Sequence, residues 1–148
     1  TYNSQDVTTA TTVTASLAAG DFTAGSGTLA SNYTLPTTAS GAGTITQAAP
    51  TFSGLTASQT ITYGAATIDV AGTLSSPTAI PAGQDVTVTI NGAGTTAVVV
   101  GADGSFTTTI DPASLPASAT AYTIAYAYAG DANFLLASDN TTTLTVNT

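Results

Sequence analysis

Short runs of period-two alternation, cut at close intervals by turn residues, recur along this chain and constrain its fold more than any other feature. Val86, Val88 and Ile90 alternate with Thr87 and Thr89, the pattern of a strand with one face in a core and the other in water. Tyr122, Ile124, Tyr126 and Tyr128 alternate in the same way with Thr123, Ala125 and Ala127. Phe106, Thr108 and Ile110 form a weaker stripe, and Leu144 and Val146 share a face. Gly, Pro, Asn and Asp separate these runs, so the chain reads as all-β. Ala is abundant and favours helices by propensity. It is scattered among Thr, Gly and Ser with no 3.6-residue apolar stripe, and the pattern outweighs the propensity.

The connector Gln47-Ala48-Ala49-Pro50 follows a strand-like Gly43 to Thr46 and precedes a new series of strands, which sets a domain boundary there. Beyond it, Thr60–Tyr63, Thr67–Leu74, Asp85–Asn91, Thr95–Val100, Ser105–Ile110, Tyr122–Tyr128 and Thr141–Val146 read as seven strands. That number and spacing suit an immunoglobulin-like antiparallel β-sandwich over 48–148. Gly101-Ala102-Asp103-Gly104 reads as a hairpin turn, with Asp103-Gly104 supplying positive-φ residues. Residues 1–47 offer three strands, Thr11–Leu17, Asn32–Leu35 and Gly43–Thr46, too few for a sandwich. A sheet this small leaves an open edge and little core, so it is expected to be completed by strands from a neighbouring repeat or subunit.

All eight charged side chains are Asp, and Lys, Arg, His, Cys and Glu are absent. Without cations the chain cannot neutralise phosphates, which excludes nucleic acid and anionic membrane surfaces as partners. Side-chain salt bridges are impossible, so stability rests on apolar burial, β-ladders and hydroxyl hydrogen bonds. Thiolate and imidazole chemistry, zinc sites and Schiff bases are excluded with the residues they need. No apolar stretch approaches the ~20 residues of a membrane helix, and no signal-peptide pattern occurs. The span reads as an excised part of a longer exported product, located outside the cell or at its surface.

An Asp pair for glycoside hydrolysis would need carboxylates gathered in a cleft, whereas these are dispersed through turns. Asp103 and Asp131 are the candidate calcium ligands, because each sits in a Gly-containing loop whose carbonyls could join a carboxylate around a hard cation. Ordinary Asp-Gly turn chemistry explains both as well. Tyr122, Tyr126 and Tyr128 suit either a sugar-stacking platform or core packing, and their shared face favours the core. Tyr128 also suits a hydroxyl clasp of the tyrosine-corner kind. Asn32-Tyr33-Thr34 and Asn140-Thr141-Thr142 match the glycosylation sequon and are read as strand residues.

Gly54 to Val146 resembles a bacterial immunoglobulin-like (Big-type) repeat domain. The likeness is carried by Ile61-Thr62-Tyr63-Gly64, Ala102-Asp103-Gly104-Ser105-Phe106 and, most specifically, Tyr128-Ala129-Gly130-Asp131-Ala132-Asn133-Phe134. Ala15 to Phe22 and Gly27 to Leu35, ending in Asn-Tyr-Thr-Leu, resemble the C-terminal half of the YDG/MBG-type repeat of filamentous adhesins. The Tyr-Asp-Gly opening of that repeat is missing, unless Tyr2-Asn3-Ser4 is a remnant of a later strand. These resemblances imply a tandem repeat of a cell-surface adhesin or extracellular filament: a structural module without cofactors, calcium aside, whose partners are neighbouring repeats or identical subunits. The alternative is an adhesive module binding glycans or cell surfaces through loops at one end of the sandwich. An enzyme is a distant third.

Overall fold

A computed structural model describes residues 1–148. The chain forms two compact units, Thr1–Gln47 and Ala48–Thr148. No α-helix forms, and apart from two three-residue 3-10 turns the regular structure is strand.

In the first unit, β1 (Thr12–Ser16) pairs antiparallel with β2 (Thr38–Ala42), in register from Thr12↔Ala42 to Ser16↔Thr38. Tyr2 bridges to Val13, and the Asn3 side chain holds the preceding turn by accepting from Thr11 N and Thr12 N, both at 3.0 Å. Two of the three expected strands are corrected. Asn32 closes a 3-10 turn (Ala30–Asn32), with Tyr33 N donating to Ala30 O, so Asn32–Leu35 is not a strand and the first sequon lies outside β structure. The second strand is Thr38–Ala42 rather than Gly43–Thr46, set by its pairing with Thr12–Ser16, and the Tyr2 ring lies against Gly43, where a Cβ would stand 2.8 Å from Cε1. Ala10 is the one buried apolar side chain of this unit.

The second unit has eight strands in two sheets. The five-stranded sheet runs β4 (Gln59–Thr62), β10 (Ala137–Asn147), β9 (Tyr122–Tyr128), β6 (Asp85–Ile90), β7 (Gly94–Val99); the three-stranded sheet runs β3 (Thr51–Ser53), β5 (Ile68–Ser75), β8 (Ser105–Ile110). The fold is an all-β sandwich with immunoglobulin-like strand order, antiparallel except for β4, which runs parallel to β10 from Gln59↔Leu144 to Thr62↔Asn147. β3 has no counterpart among the expected strands. Gly101–Gly104 forms a turn, with Gly104 N donating to Gly101 O at 3.0 Å, but not a hairpin turn. β7 and β8 belong to different sheets, and only Gly104 there has positive φ, at 85°. The hairpin lies one step earlier, between β6 and β7 across Asn91-Gly92-Ala93.

The core follows the alternation. Val86, Val88, Ile90, Ile124, Tyr126, Tyr128, Leu144 and Val146 from the five-stranded sheet meet Ile68, Val70, Leu74, Phe106 and Ile110 from the other. Leu144 is fully buried, so Leu144→Ala should cost about 2–5 kcal/mol through lost burial and the cavity left behind. Urea unfolding should report this as a lower midpoint with an unchanged m-value.

Candidate functional site

The strand registers fix two poles in the second unit. Val86↔Tyr128, Asp85↔Val99, Ala137↔Tyr128, Thr73↔Ser105 and Thr51↔Ser75 gather the start of β3 and the Asp103 and Asp131 loops at one pole. Leu144↔Tyr122 and Asn147↔Thr62 place the end of β10 at the other. Both candidate calcium ligands therefore lie at the pole where the chain enters this unit.

Each carboxylate is used within its own turn. Asp131 Oδ1 accepts from Asn133 N at 2.7 Å and Phe134 N at 2.8 Å, and Asp131 N donates to Phe134 O at 2.9 Å. Gly130 makes the reversal possible: its φ is 79°, and a Cβ there would lie 2.8 Å from Leu136 N. The loop so shaped holds the incoming chain, because Ala48 N donates to Asn133 O at 2.9 Å and Leu135 N donates to Ala48 O at 2.8 Å. Phe134 packs beneath it on the core. The Gly-Asp-x-Asn-Phe run is thus a backbone clamp on the entering segment.

Asp103 Oδ1 accepts from Ser105 Oγ at 2.6 Å and Ser105 N at 3.0 Å. The Ser105 hydroxyl first, and its backbone N–H second, hold this carboxyl below its ordinary pKa. A depressed folded value means the turn gains its stabilisation above the usual carboxylate range and loses it as pH falls through the lowered value. No group of three or more His, Cys, Asp or Glu gathers anywhere in the chain.

The tyrosines pack as a core row, not as an open platform. Tyr126 and Tyr128 are buried, and Tyr122 is half-buried. Tyr126 Oη accepts from the buried Thr142 Oγ1 at 3.3 Å. The hydroxyl clasp belongs to Tyr122 rather than Tyr128: at the start of β9, Tyr122 Oη donates to Pro116 O at 2.8 Å, six residues back in the corner that crosses between the sheets. This is the tyrosine-corner arrangement. Tyr128 Oη is buried without a hydrogen-bond partner of ordinary geometry. Burial foremost, and then the Asp131 carboxylate, push its pKa up to about 12. The second sequon, Asn140-Thr141-Thr142, lies in β10 at a register shift between Asp139 and Thr142, where Asp139 Oδ1 accepts from Thr141 N at 2.9 Å.

By architecture the second unit is an all-β sandwich of a five-stranded and a three-stranded sheet. No protein-family description, curated protein or solved structure matches the chain.

Tyr122→Phe should cost about 0.5–1.5 kcal/mol, the net worth of one hydrogen bond. The raised Tyr128 pKa makes its stabilisation complete below the ordinary phenol value near 10 and lost as pH rises through about 12; alkaline unfolding of Tyr128→Phe should show a weaker pH dependence there. Asp131→Ala should speed amide exchange at Asn133, Phe134, Leu135 and Ala48 by roughly tenfold, with Asp131→Asn changing it less. Millimolar calcium should leave the wild-type exchange pattern unchanged, and protection gained on adding calcium would mark a real site.

Proposed function

We propose that this chain is a structural repeat segment of a bacterial extracellular filament or giant surface adhesin, serving as a spacer or fibre subunit assembled end to end. The observation that carries this reading is the polarity of the second unit. Its chain enters at one pole, under the backbone clamp of the Asp131 loop, and leaves β10 at the opposite pole. Modules with that geometry add their lengths when strung together. The 11 residues of β10, at about 3.3 Å per residue, give about 36 Å per sandwich.

The first unit supports the same reading from the other side. One two-stranded ribbon and one buried apolar residue are a poor core for 47 residues. Strands from a preceding repeat or another subunit would complete it. The composition argues against catalysis, since the usual bases, nucleophiles and metal ligands other than Asp, Ser, Thr and Tyr are missing.

Electron microscopy of the native assembly, beside size-exclusion of the isolated chain, tests the proposal. The expected result is a regular thread in which each sandwich adds about 36 Å along the axis. Filaments assembled from isolated chains would assign the completing strands to another subunit; monomers that appear only as beads in a longer polymer would assign them to a preceding repeat. A compact monomer with residues 1–47 fully protected from hydrogen exchange would remove the completion idea. Selective, saturable binding on a glycan array would replace the spacer role with adhesion.

A further inference from the structure

The β6–β7 hairpin closes on Asn91-Gly92-Ala93, with Ala93 N donating to Ile90 O at 2.9 Å and Gly94 opposite Ile90. Folding explains the glycine. Its φ is 93°, and a Cβ there would stand 3.0 Å from Leu115 Cδ2, so a side chain at 92 would be strained and crowded. Folding does not explain the asparagine. No non-glycine residue of the chain has positive φ, so the turn makes no use of the left-handed tolerance of Asn at 91. None of the turn's hydrogen bonds takes the Asn91 side chain, and both Asn91 and Gly92 are exposed. The other asparagines are placed differently. Asn3 is held on both sides, accepting from Thr11 N and Thr12 N and donating to Thr9 O. Asn32, Asn133, Asn140 and Asn147 precede Tyr, Phe, Thr and Thr, whose side chains crowd the following backbone nitrogen.

Asparagine is a chemically labile residue, and an exposed carboxamide beside an unshielded glycine nitrogen has both reacting groups at hand. We propose that Asn91-Gly92 is a self-modification site, at which the carboxamide is lost without an enzyme and the hairpin is converted largely to an isoaspartyl form. The step needs only water. The Gly92 backbone nitrogen, on losing its proton to solvent base, attacks Asn91 Cγ. Its bond to Cγ forms, the Cγ–Nδ2 bond breaks, and Nδ2 takes up a proton and leaves as ammonia, closing a succinimide ring. Water then opens the ring. Breaking the bond from Gly92 N to Cγ leaves an ordinary aspartyl residue; breaking its bond to the Asn91 main-chain carbonyl carbon leaves an isoaspartyl residue whose chain runs through Cγ.

Ile90 lies opposite Ile124, so the turn sits at the pole where β10 ends. Either product adds a negative charge there to a net −8 that no cationic side chain offsets. The isoaspartyl form also carries the main chain through an extra methylene, which displaces the Gly92 carbonyl. Ser114 Oγ donates to that carbonyl at 3.0 Å. The fully buried Leu115 follows, its N donating to Pro112 O at 2.9 Å, and Pro116 O then holds the Tyr122 hydroxyl. A change in one turn therefore reaches the tyrosine corner, and none of this requires end-to-end assembly.

The full 148-residue chain, kept folded in mildly alkaline heavy-oxygen water and mapped by mass spectrometry, should take up label at Asn91 at least about tenfold faster than at any other asparagine. An isoaspartyl-specific methyltransferase should mark the same peptide. Asn91→Gln, whose longer side chain closes the ring poorly, should yield neither label at that position nor an acidic variant of the chain. In the separated isoaspartyl fraction, amide exchange at Ala93 and Leu115 should rise at least about threefold, while Leu74, whose N donates to Gly104 O at the other pole, stays protected. Labelling no faster at Asn91 than elsewhere, labelling only after unfolding in urea, or an acidic variant that persists in Asn91→Gln would overturn the site. Unchanged exchange at Ala93 and Leu115 in the isoaspartyl fraction would overturn its reach to the corner.

Discussion

The closure of one sheet on the other around Tyr126 is the contact on which the rest of the larger unit depends. Tyr126 comes from the five-stranded sheet, while Phe52 and Phe106 come from the three-stranded sheet. Ring centroids of 5.9 Å for Phe52–Phe106, 5.9 Å for Phe52–Tyr126 and 6.1 Å for Phe106–Tyr126 form a trio of edge-on and tilted contacts across the interface. Aromatic pairs at such separations add to the burial of their area. The Tyr126 hydroxyl would be costly at that depth if unpartnered, and Thr142 supplies its partner from the neighbouring strand. Thr142 is also where β10 recovers its register after the irregularity that follows Asp139. Packing, polar satisfaction and strand register therefore meet at one place.

With no cationic side chain to pair with, several of the carboxylates act as turn-formers. Asp21 accepts from Ala18 N, Asp103 from Ser105 N, Asp111 from Ala113 N, Asp131 from Asn133 N and Phe134 N, and Asp139 from Thr141 N. Each bond replaces a backbone partner that a loop would otherwise lack, as side chains of this type do in Asx-turns. The acidic surface and the ordered loops thus come from the same residues, and the two candidate calcium ligands fall within this general use.

Much of the sandwich was legible because period-two alternation reports burial directly. The strands of Val86 to Ile90, Phe106 to Ile110 and Tyr122 to Tyr128 carry large apolar residues on one face, and those faces are buried. β2 was misplaced because Thr-Ala-Ser-Gly-Ala has no apolar side chain to betray a face, and all five residues are exposed. β3 was missed because three residues cannot show a period; only Phe52 marks it, through partners distant in sequence. The β7–β8 turn read as a hairpin because local turn chemistry is the same whether the next strand pairs or crosses to the other sheet. Tyr122 and Tyr128 exchanged roles for a related reason. Their spacing along β9 is plain, but which hydroxyl reaches a carbonyl depends on the corner that brings Pro116 back over the strand.

The parallel strand pair of the sandwich, β4 with β10, bears on how the unit would carry tension. β4 lies near the start of the unit and β10 at its end, and they run side by side in the same direction over four residue pairs. Tension that draws the leading segment one way and the end of β10 the other acts along these strands and across their hydrogen bonds. Bonds loaded in that direction must yield together, whereas a hairpin pulled open from one end releases them singly. The clamp at Ala48 sits ahead of this pair and, with two backbone hydrogen bonds, would be the first to open. Under the proposed spacer role, the entering chain is then held at three places in series, the Ala48 clamp, β3 on β5 and β4 on β10, with the Tyr126 contact behind them.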